Sequence, residues 1–446
     1  MKLSRIQSTL SALGTAPVRS LGQNFLHDQN VAQWIVAQLE LHAGEPWVEL
    51  GPGLGALTRF AAAVSTNGLL IEKDGRLAAY LREHFPKLEI IHGDAAKFDV
   101  RELFARGPVK VLGNLPYYIS SQILLQFTAE PSPVARLVFT LQRELAERLA
   151  AAPRTKEYGA LTILVGRRWR VKMLRTLPPT VFMPAPQVES GVVLLTPRTS
   201  DEYPACDGQQ FVALVKKGFS QRRKQLRKML AGDVKDWAAL CAALDVPATV
   251  RAEELSIAQW INLTNFVAPR GKALGAQDVH GEIFDVVDAD DTVVGQASRD
   301  HVHTRDLRHR AVHIFVFNKR GDLFLQKRSR WKDRHPEKWD SSAAGHVEAG
   351  QTFAATAHRE LQEELGVDVE ELEPLGRIAA CVETGWEFVQ LYRTVAEGPF
   401  ALPPAEIETG GFFTKAQIAR WIEERREDFA PGFLACWERM EVRIEK

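Results

Sequence analysis

Cysteine is scarce in this sequence, and long apolar runs are absent. The four cysteines among 446 residues lie far apart and form no CxxC pair. We therefore expect Cys206, Cys241, Cys381 and Cys436 to be reduced structural thiols, and we do not expect a zinc site. No apolar stretch reaches the roughly 18 residues that a membrane helix needs, and the first residues lack a signal-peptide core with a cleavage site. These absences predict a cytoplasmic protein without a membrane partner.

The sequence also lacks a net charge, with 56 Lys and Arg against 56 Asp and Glu. This balance conceals two parts of opposite sign. Residues 1–270 contain 33 basic and 24 acidic residues, a net charge of +9. The remaining residues contain 23 basic and 32 acidic residues, a net charge of −9. The first part should therefore attract a polyanion, and the second part should not.

The order of apolar runs predicts several compact units, as the chain length also suggests. From Trp47 to Leu141, short β-branched or Leu-rich runs alternate with helix-like stretches, which is typical of a parallel sheet flanked by helices. Turn-forming residues interrupt this pattern twice, and EIFDVVDADDTVVG then alternates as a hairpin does. We predict an α/β Rossmann-like domain at 1–200, a small all-α subdomain at 201–268, a linker at 269–280 and an α+β unit at 281–446.

Three predicted strand ends carry residues suited to an adenosine-like ligand. In VELGPGLGALT, Gly51, Gly53 and Gly55 lie between a strand and a helix, where a cofactor could approach the backbone. Their spacing departs from the dinucleotide pattern GxGxxG. Glu72 ends the next strand and could accept both ribose hydroxyls, and Asp94 ends a third strand and could accept an adenine amine. The pattern favours S-adenosylmethionine over NAD. The alternative is turn glycines with solubilising acids.

The stretch VLGNLPYYIS ends a buried strand with an amide, a proline and two aromatic residues. Pro116 favours an extended conformation at Leu115, whose carbonyl would then lie beside the amide oxygen of Asn114. Two such acceptors would hold both hydrogens of an exocyclic amine and direct its lone pair at a sulfonium methyl group. Tyr117 and Phe182 are candidates for stacking on an extruded base. The alternatives are a core aromatic for Tyr117 and a loop anchor for Phe182.

Seven motifs resemble, in their order, the ribosomal RNA adenine N6-dimethyltransferases that modify small-subunit rRNA. They are GQNFL, ELGPGLG, IEKD, GNLPY, LQRELAERL, KEYGALT and FMPAPQVES, and the resemblance covers about residues 15–268. It implies two adjacent adenosines in a hairpin loop near the 3′ end of 16S rRNA as the substrate, each methylated twice. It also implies that S-adenosylmethionine contacts Asn24, Leu26, Gly51, Glu72, Asp94 and Asn114.

A basic run, SQRRKQLRKML, follows in the segment with helical periodicity. It provides a basic face suited to RNA phosphates, and the alternative is an ordinary solvated helix face. Related enzymes that modify large-subunit rRNA share the donor site, but RAEELS at 251–256 argues against them. The candidate RNA-binding residues are Arg222, Arg223, Lys224, Arg227 and Lys228.

The stretch GHVEAGQTFAATAHRELQEELGV, 345–367, carries Glu360, Glu363 and Glu364 at helical spacings i, i+3 and i+4. These carboxylates would share one helix face, where a divalent cation, Mg²⁺ or Mn²⁺, would offset their repulsion, and Arg359 could brace them. The alternative is a solvated acidic face. The stretch resembles the Nudix motif, which implies an α+β fold with a mixed sheet between helices. Gln351 replaces the first glutamate of that motif, so we expect metal binding with less certain turnover.

The sequence around this motif resembles, over about 281–435, a Nudix branch similar to isopentenyl diphosphate isomerase. The isomerases have a cysteine where this chain has Ala344, so we reject isomerase activity. His303, His309 and His346 fall near that family's metal-binding histidines, although each taken alone is better explained as a structural residue. Glu387 is a candidate metal ligand or base.

The leading hypothesis is a monomeric fusion of an rRNA adenine dimethyltransferase, acting on the small ribosomal subunit, with a Nudix domain that hydrolyses a diphosphate-containing small molecule. A second hypothesis makes Nudix hydrolysis of a nucleoside diphosphate derivative the main activity. A third describes a ribosome-assembly checkpoint factor without catalysis.

Overall fold

The computed structural model describes residues 3–444 except 18–22, 200–201, 205, 222, 268–280, 401 and 404–405. The chain divides into two compact units, Met1–Pro269 and Arg270–Lys446. The predicted linker at 269–280 lies entirely within the residues that are not described. Within the described part of the chain, no helix combines the length and the apolar character that a membrane crossing requires.

The first unit is built on a seven-stranded sheet. The strands of the whole unit are β1 (Phe25–Leu26), β2 (Trp47–Leu50), β3 (Gly68–Glu72), β4 (Glu89–His92), β5 (Val109–Asn114), β6 (Val134–Gln142), β7 (Trp169–Leu177), β8 (Phe182–Met183) and β9 (Ser190–Pro197). The sheet order is β4-β3-β2-β5-β6-β9-β7, and β1 pairs separately with β8. The first five strands of this order run parallel, and β9 and β7 are antiparallel to their neighbours. The strand order reverses at β2, so a ligand crevice is expected at the carboxyl ends of β2 and β5.

Helices cover both faces of this sheet and form the all-α subdomain that follows it. The helices of the sheet domain are α1 (Leu3–Ala12), α2 (Gln29–Ala37), α3 (Thr58–Val64), α4 (Gly75–His84), α5 (Ser120–Phe127), α6 (Arg143–Leu149) and α7 (Ala160–Gly166). Those of the subdomain are α8 (Gly208–Gly218), α9 (Leu226–Met229), α10 (Trp237–Leu244) and α11 (Ile257–Val267). Short 3-10 turns cover Val100–Arg106, Pro179–Val181, Phe219–Gln221 and Ala252–Glu254.

Side chains of β2 alternate between two apolar cores, one on each face of the sheet. Trp47 packs in the core that contains α1, α2 and α4, whereas Val48 and Leu50 pack with α5 in the other core. Both faces are buried, which explains why the strand is apolar except for Glu49. Because side chains alternate along a strand, Glu49 lies on the Trp47 face, and it is buried there.

The subdomain packs around the buried Trp260. Gly218, the last residue of α8, lies against the Trp260 ring, where a Cβ atom would overlap it. The segment with helical periodicity does not form one helix, because α8 ends at Gly218 and α9 has only four residues. A 3-10 turn follows α8, so Arg223 and Lys224 lie on the connection between the helices, whereas Arg227 and Lys228 lie on the short helix α9.

The second unit is built on a mixed sheet of seven strands. The strands of the whole unit are β10 (Ile283–Val287), β11 (Val293–Ser298), β12 (His309–Phe317), β13 (Leu323–Arg328), β14 (Trp339–Asp340), β15 (Ala343–His346), β16 (Glu373–Ile378), β17 (Glu387–Val395) and β18 (Ile407–Phe413). The main path is β14-β13-β12-β17-β16, with β15 on β12 and β18 on β13. Strands β12 and β17 are parallel, and the other pairs are antiparallel. The predicted hairpin is present as the antiparallel pair β10 and β11.

Helices pack on both faces of this mixed sheet. They are α12 (Arg299–Thr304), α13 (Phe353–Glu360), α14 (Lys415–Glu424) and α15 (Pro431–Ile444), with a π-turn at Leu361–Leu365 and a 3-10 turn at Arg426–Asp428. One face of β12 packs with α13 in an apolar core. The other face packs Phe315 against Phe433 of α15. The predicted fold classes of both units are confirmed.

Candidate functional sites

The first unit has a cavity of about 100 Å³ at the carboxyl ends of its central parallel strands. The glycine loop after β2 forms part of it, with positive φ at Gly51, Gly53 and Gly55. These φ values favour glycine because side chains rarely adopt them. The predicted residues that line the cavity are Asn24, Leu26, Gly51, Gly53, Glu72, Asp94, Asn114, Leu115 and Pro116.

Glu72 is held at the end of β3 by two backbone donors. The N–H of Gly53 donates to Oε2 at 2.9 Å, and the N–H of Asp74 donates to Oε1 at 2.9 Å. Burial raises the pKa of the Glu72 carboxyl, and these two N–H groups oppose that shift. The carboxylate is therefore fixed in position beside the glycine loop.

Glu49 is a second buried carboxyl group on the same cavity. Burial raises its pKa to about 8, although the Thr58 hydroxyl donates to it at 2.7 Å and opposes the shift. The folded protein therefore holds Glu49 in its protonated form near neutral pH.

Asp94 is paired with a lysine at the end of β4. Lys73 Nζ lies 2.8 Å from Asp94 Oδ2, and the N–H of Ala96 donates to Oδ1 at 3.1 Å. Lys73, as the largest cause, lowers the pKa of Asp94. The acceptor proposed for an adenine amine is therefore ionised and is occupied by an internal cation.

The side-chain amide of Asn114 is oriented by the backbone of Asn24. Asn114 Nδ2 donates to the Asn24 carbonyl at 2.8 Å. This assignment leaves Oδ1 of Asn114 as the acceptor end of the amide at the cavity surface. The N–H of Leu115 donates to Thr140 at 3.1 Å and fixes the strand end.

The two predicted stacking residues lie beside the cavity and do not line it. The Tyr117 hydroxyl lies 2.6 Å from Ser190 Oγ, and burial raises the pKa of this phenol. Phe182 is only 3% exposed and packs in the core on the short strand β8. Tyr118, which is 58% exposed, lines the cavity. Stacking by Tyr117 and Phe182 stays a prediction.

The candidate RNA-binding residues lie on the surface of the subdomain. Arg223, Lys224, Arg227 and Lys228 are exposed, whereas Arg222 lies outside the described residues. Their exposure is compatible with phosphate contacts.

The second unit has a cavity of about 430 Å³ that contains the Nudix-like motif. Gly345 lines it, and a Cβ atom at this position would overlap the carboxylate of Glu360. The glycine is therefore needed so that Glu360 can lie against β15. Arg359 braces the motif, with ion pairs of 2.9 Å to both Glu360 and Glu363.

The three motif glutamates do not share one α-helical face as predicted. Helix α13 ends at Glu360, and the π-turn that follows shifts the later residues. Glu360 and Glu363 line the cavity. Glu364 is buried behind it, where Ala344 N–H and Gln326 Nε2 each donate to its Oε2 at 3.1 Å. Burial raises the pKa of both Glu360 and Glu364.

Gln351 makes a local contact at the start of α13. It accepts a hydrogen bond from the Thr356 hydroxyl at 3.2 Å. Glu348, three residues earlier, lines the cavity and approaches Arg359 at 3.8 Å. The sequence departure at Gln351 therefore removes one carboxylate, while Glu348 remains near the bracing arginine.

Three histidines and a glutamate converge in the same unit. One ligand atom from each of His303, His309, His346 and Glu387 lies within 4.8 Å of all the others. His346 Nε2 and His309 Nε2 lie 3.2 and 3.6 Å from Glu387 Oε1. The expectation of separate structural histidines is therefore corrected.

The electrostatics of this cluster suit metal ligands. Burial lowers the pKa of His303 to about 3 and also lowers the pKa of His346. Burial alone would raise the pKa of Glu387, but His309 and His346 hold it well below its usual value. The buried Nε2 atoms of His303 and His309 have no hydrogen-bond partner among the described residues. Neutral imidazoles with a carboxylate are a donor set for a transition-metal ion.

Comparison with protein families identifies the first unit. Residues 17–269, more than half of the chain, match the family described as ribosomal RNA adenine dimethylase. The chain belongs to this family. The dimethylase match implies S-adenosylmethionine as the methyl donor. Ribosomal RNA small subunit methyltransferase A of Myxococcus xanthus (strain DK1622) is 41% identical over 215 residues, covering 48% of this chain and 76% of the relative.

A second relative extends over more of the dimethylase unit. Ribosomal RNA small subunit methyltransferase A of Alcanivorax borkumensis is 37% identical over 269 residues, covering 59% of this chain and 95% of the relative. The solved structure of the 23S rRNA methyltransferase ErmE is 24% identical, with a TM-score of 0.46, covering 55% of this chain and 99% of that chain. Residues 307–433 match the NUDIX domain. This dimethylase therefore carries a NUDIX domain, and neither alternative hypothesis is favoured.

Several residues that line the cavity of the dimethylase unit were not predicted, and among them are Glu49, Lys73 and Tyr118. Glu49 had a usable signal, because it is the one acid inside the buried strand WVEL. The sequence does not show which of Tyr117 and Tyr118 faces the cavity, because the two tyrosines are adjacent and follow the same proline.

Proposed function

We propose that the first unit dimethylates N6 of two adjacent adenosines in the 3′-terminal hairpin loop of 16S rRNA in the small ribosomal subunit. The supporting observation is the orientation of Asn114, whose Nδ2 is engaged by the Asn24 carbonyl. Its Oδ1 is thereby presented at a cavity lined by the predicted cofactor residues.

The residues of the cavity are proposed to have separate roles in binding the cofactor and in positioning the target amine. Glu72, fixed by the glycine loop, would bind ribose hydroxyls, and Asp94 would accept the adenine amine of the cofactor. S-adenosylmethionine supplies an activated methyl group when bound. Asn114 Oδ1 and the Leu115 carbonyl would accept the hydrogens of the target amine, so that its lone pair points to the methyl group. Such positioning needs no strong base, because the methylated nitrogen is cationic and acidic, so its excess proton can pass to solvent water.

The target adenosine must leave any stack to reach this site. Tyr117 and Phe182 are proposed to stack on the extruded base, with Tyr118 as an exposed neighbour. Arg223, Lys224, Arg227 and Lys228 would bind phosphates, and Arg222 is proposed with them.

The test uses purified protein, tritiated S-adenosylmethionine and small ribosomal subunits that lack the adenine methylations. The wild type should produce labelled N6-dimethyladenosine, and Asn114→Ala should lose activity by on the order of 100-fold, as expected for removal of one positioned polar group. Asn30→Ala, an exposed asparagine on α2, is the matched control and should stay active. Equal labelling by Asn114→Ala would contradict the role of Asn114, and absent labelling by the wild type would contradict the function.

For the second unit, we propose a metal-dependent pyrophosphohydrolase that acts on a diphosphate-containing small molecule. Its support is that one cavity joins the Nudix glutamates to His346 and Glu387 and also contains Arg328, Lys332 and Arg334. Basic side chains of this kind bind phosphate oxygens. A divalent cation, Mg²⁺ or Mn²⁺ at the carboxylates, lowers the pKa of a bound water when present. The histidine cluster also supports a place in the isomerase-like branch, although Ala344 supplies no thiol for isomerisation.

The second test is metal-dependent release of phosphate products from a panel of nucleoside diphosphate derivatives and other organic diphosphates. Release should require Mg²⁺ or Mn²⁺, stop with EDTA and fall strongly in Glu360→Gln. Glu371→Gln, outside the motif, should match the wild type. Absence of release from every compound in the presence of both metals would count against hydrolysis.

The proposed arrangement of the chain keeps the predicted boundaries 1–200, 201–268, 269–280 and 281–446. A cytoplasmic monomer likewise stays a prediction, which light scattering and fractionation would test.

A further inference from the structure

An internal lysine pairs with a glutamate from outside the Nudix motif in the second cavity. Lys332 Nζ lies 2.7 Å from Glu406 Oε2, and both side chains are more than four-fifths buried. Lys332 follows β13, and Glu406 immediately precedes β18. The N–H of Ser329 donates to the Glu406 carbonyl at 2.7 Å, which fixes the two segments together. Both residues line the cavity with Glu360.

Glu406 lies close enough to the motif to act on two of its carboxylates. Burial is the main cause of the raised pKa of both Glu360 and Glu364. Glu406 raises and Lys332 lowers both pKa values, although Arg359 and Glu363 have larger effects on Glu360. Lys332 therefore pairs with Glu406 at a cavity that Glu360 also lines, and Glu360 itself is contacted by Arg359 at 2.9 Å. Carboxylates in such a group repel each other unless a cation is shared between them.

A buried amide beside these carboxylates points independently to a missing ligand. Gln326 is only 2% exposed, and its Nε2 donates to Glu364. Its Oε1 has no hydrogen-bond partner among the residues that the structure describes. Buried acceptors are normally satisfied by protein, water or an ion. An amide oxygen together with carboxylates is a donor set for Mg²⁺.

We propose that Lys332 stands in for a divalent cation among Glu360, Glu364 and Glu406, and that it transfers to the substrate diphosphate when the cation enters. This inference rests on the function proposed for the second unit. Glu406 then acts as a metal ligand from outside the motif and offsets the carboxylate that is lost at Gln351. The displaced ammonium has a flexible stem and can follow the phosphate oxygens.

This exchange predicts that substitution of Lys332 changes the affinities for Mg²⁺ and for pyrophosphate in opposite directions. Lys332→Met removes the internal competitor, so Mg²⁺ should bind about tenfold more tightly. The same substitution removes a phosphate contact, so inorganic pyrophosphate at saturating Mg²⁺ should bind about tenfold more weakly. Glu406→Gln should weaken Mg²⁺ binding about tenfold, because a neutral amide binds the cation poorly.

The experiment is isothermal titration calorimetry of the full chain with Mg²⁺, and then with pyrophosphate. Mg²⁺ prefers oxygen ligands, so it reports on the carboxylates more than on the histidine cluster. Lys332→Arg should resemble the wild type. The matched control is Lys327→Met, because Lys327 pairs with Glu408 at 3.1 Å and does not line the cavity. Thermal denaturation identifies any variant that fails to fold.

The outcomes separate this inference from the proposed function. Absence of Mg²⁺ binding in the wild type, or binding that Glu360→Gln leaves unchanged, would overturn the proposed metal site itself. Mg²⁺ binding that requires Glu360 but is unchanged or weakened in folded Lys332→Met would overturn the exchange and leave the proposed function standing. Tighter Mg²⁺ with weaker pyrophosphate in Lys332→Met is the result that we expect.

Discussion

Glu49 illustrates how a single buried carboxyl group can make the stability of the dimethylase unit depend on pH. The folded protein holds its proton up to about pH 8, whereas an unfolded chain releases it near 4.5. Between these values the unfolded state binds fewer protons, so stability falls as the pH rises. Below them, both states are protonated and this penalty disappears.

We expect Glu49→Gln to remove this pH dependence. Relative to the wild type, the variant should gain on the order of 2 kcal/mol in unfolding free energy between about pH 5.5 and about pH 7.5. Urea-dependent hydrogen exchange in β2 measures this quantity for the first unit alone. Glu83→Gln, an exposed change on α4, is the control. A constant difference between Glu49→Gln and the wild type at both pH values would contradict a protonated Glu49.

At the scale of elements, close approach of two strands explains a glycine that the cofactor motifs do not. Gly113 in β5 lies beside β2, and a Cβ atom there would come 2.9 Å from the Leu50 carbonyl oxygen. A backbone oxygen in a central sheet has little freedom to move. Asn114 directly follows this position, so displacement of β5 would also move the amide.

Gly113→Ala should therefore lower the unfolding free energy of the first unit by about 1–3 kcal/mol and reduce methyl transfer. Gly93→Ala, after β4, is the matched control, because its Cβ atom would lie at an ordinary 3.4 Å from Ile91. Hydrogen exchange in β5 and the tritium assay measure both effects. Equal stability of the two variants would show that the sheet adjusts to the added methyl group.

The strands were predictable because burial on both faces gives short apolar runs such as WVEL, and the parallel order then brings Glu72, Asp94 and Asn114 together. The π-turn at Leu361–Leu365 was not predictable from spacing. Glu360 lies against Gly345 and Glu364 bonds to Ala344, so tertiary contacts with β15 set that turn. The end of α8 before the basic run has a similar origin, because Gly218 packs on Trp260 there.

The family resemblance singled out the members of the histidine cluster, but their positions in the sequence do not show that they meet. His303 lies in the last turn of α12, His309 is the first residue of β12, and His346 is the last residue of β15. These residues therefore form no local sequence motif. The parallel pairing of His309 with Glu387 and the antiparallel pairing of Ala311 with His346 bring the three strand residues together. The strand register, which the sequence does not state, is what brings these residues together.

At the scale of the whole molecule, charge and folding divide at the same place. The positive part, residues 1–270, coincides with the dimethylase unit, and the negative part coincides with the NUDIX unit. Each unit has its own core, so each should fold alone. RNA affinity should reside in the first unit and should weaken with salt.

We expect a fragment of residues 1–268 to keep methyl transfer within about threefold of the full chain, because domains with their own cores generally function independently. The tritium assay at several salt concentrations measures this, and a fragment of residues 281–446 should bind no rRNA. Loss of methyl transfer in the fragment of residues 1–268, with its fold intact by circular dichroism, would instead show that the NUDIX unit contributes to the methylation.

Both cavities contain a lysine paired with the acid that a ligand would use, Lys73 with Asp94 and Lys332 with Glu406. A tethered competitor has a fixed effective concentration that dilution of the protein does not reduce. Each site would therefore need a higher ligand concentration for half-occupancy than it would need without the lysine. Occupancy would then follow the supply of methyl donor or metal in the cell, independently of how much protein is made.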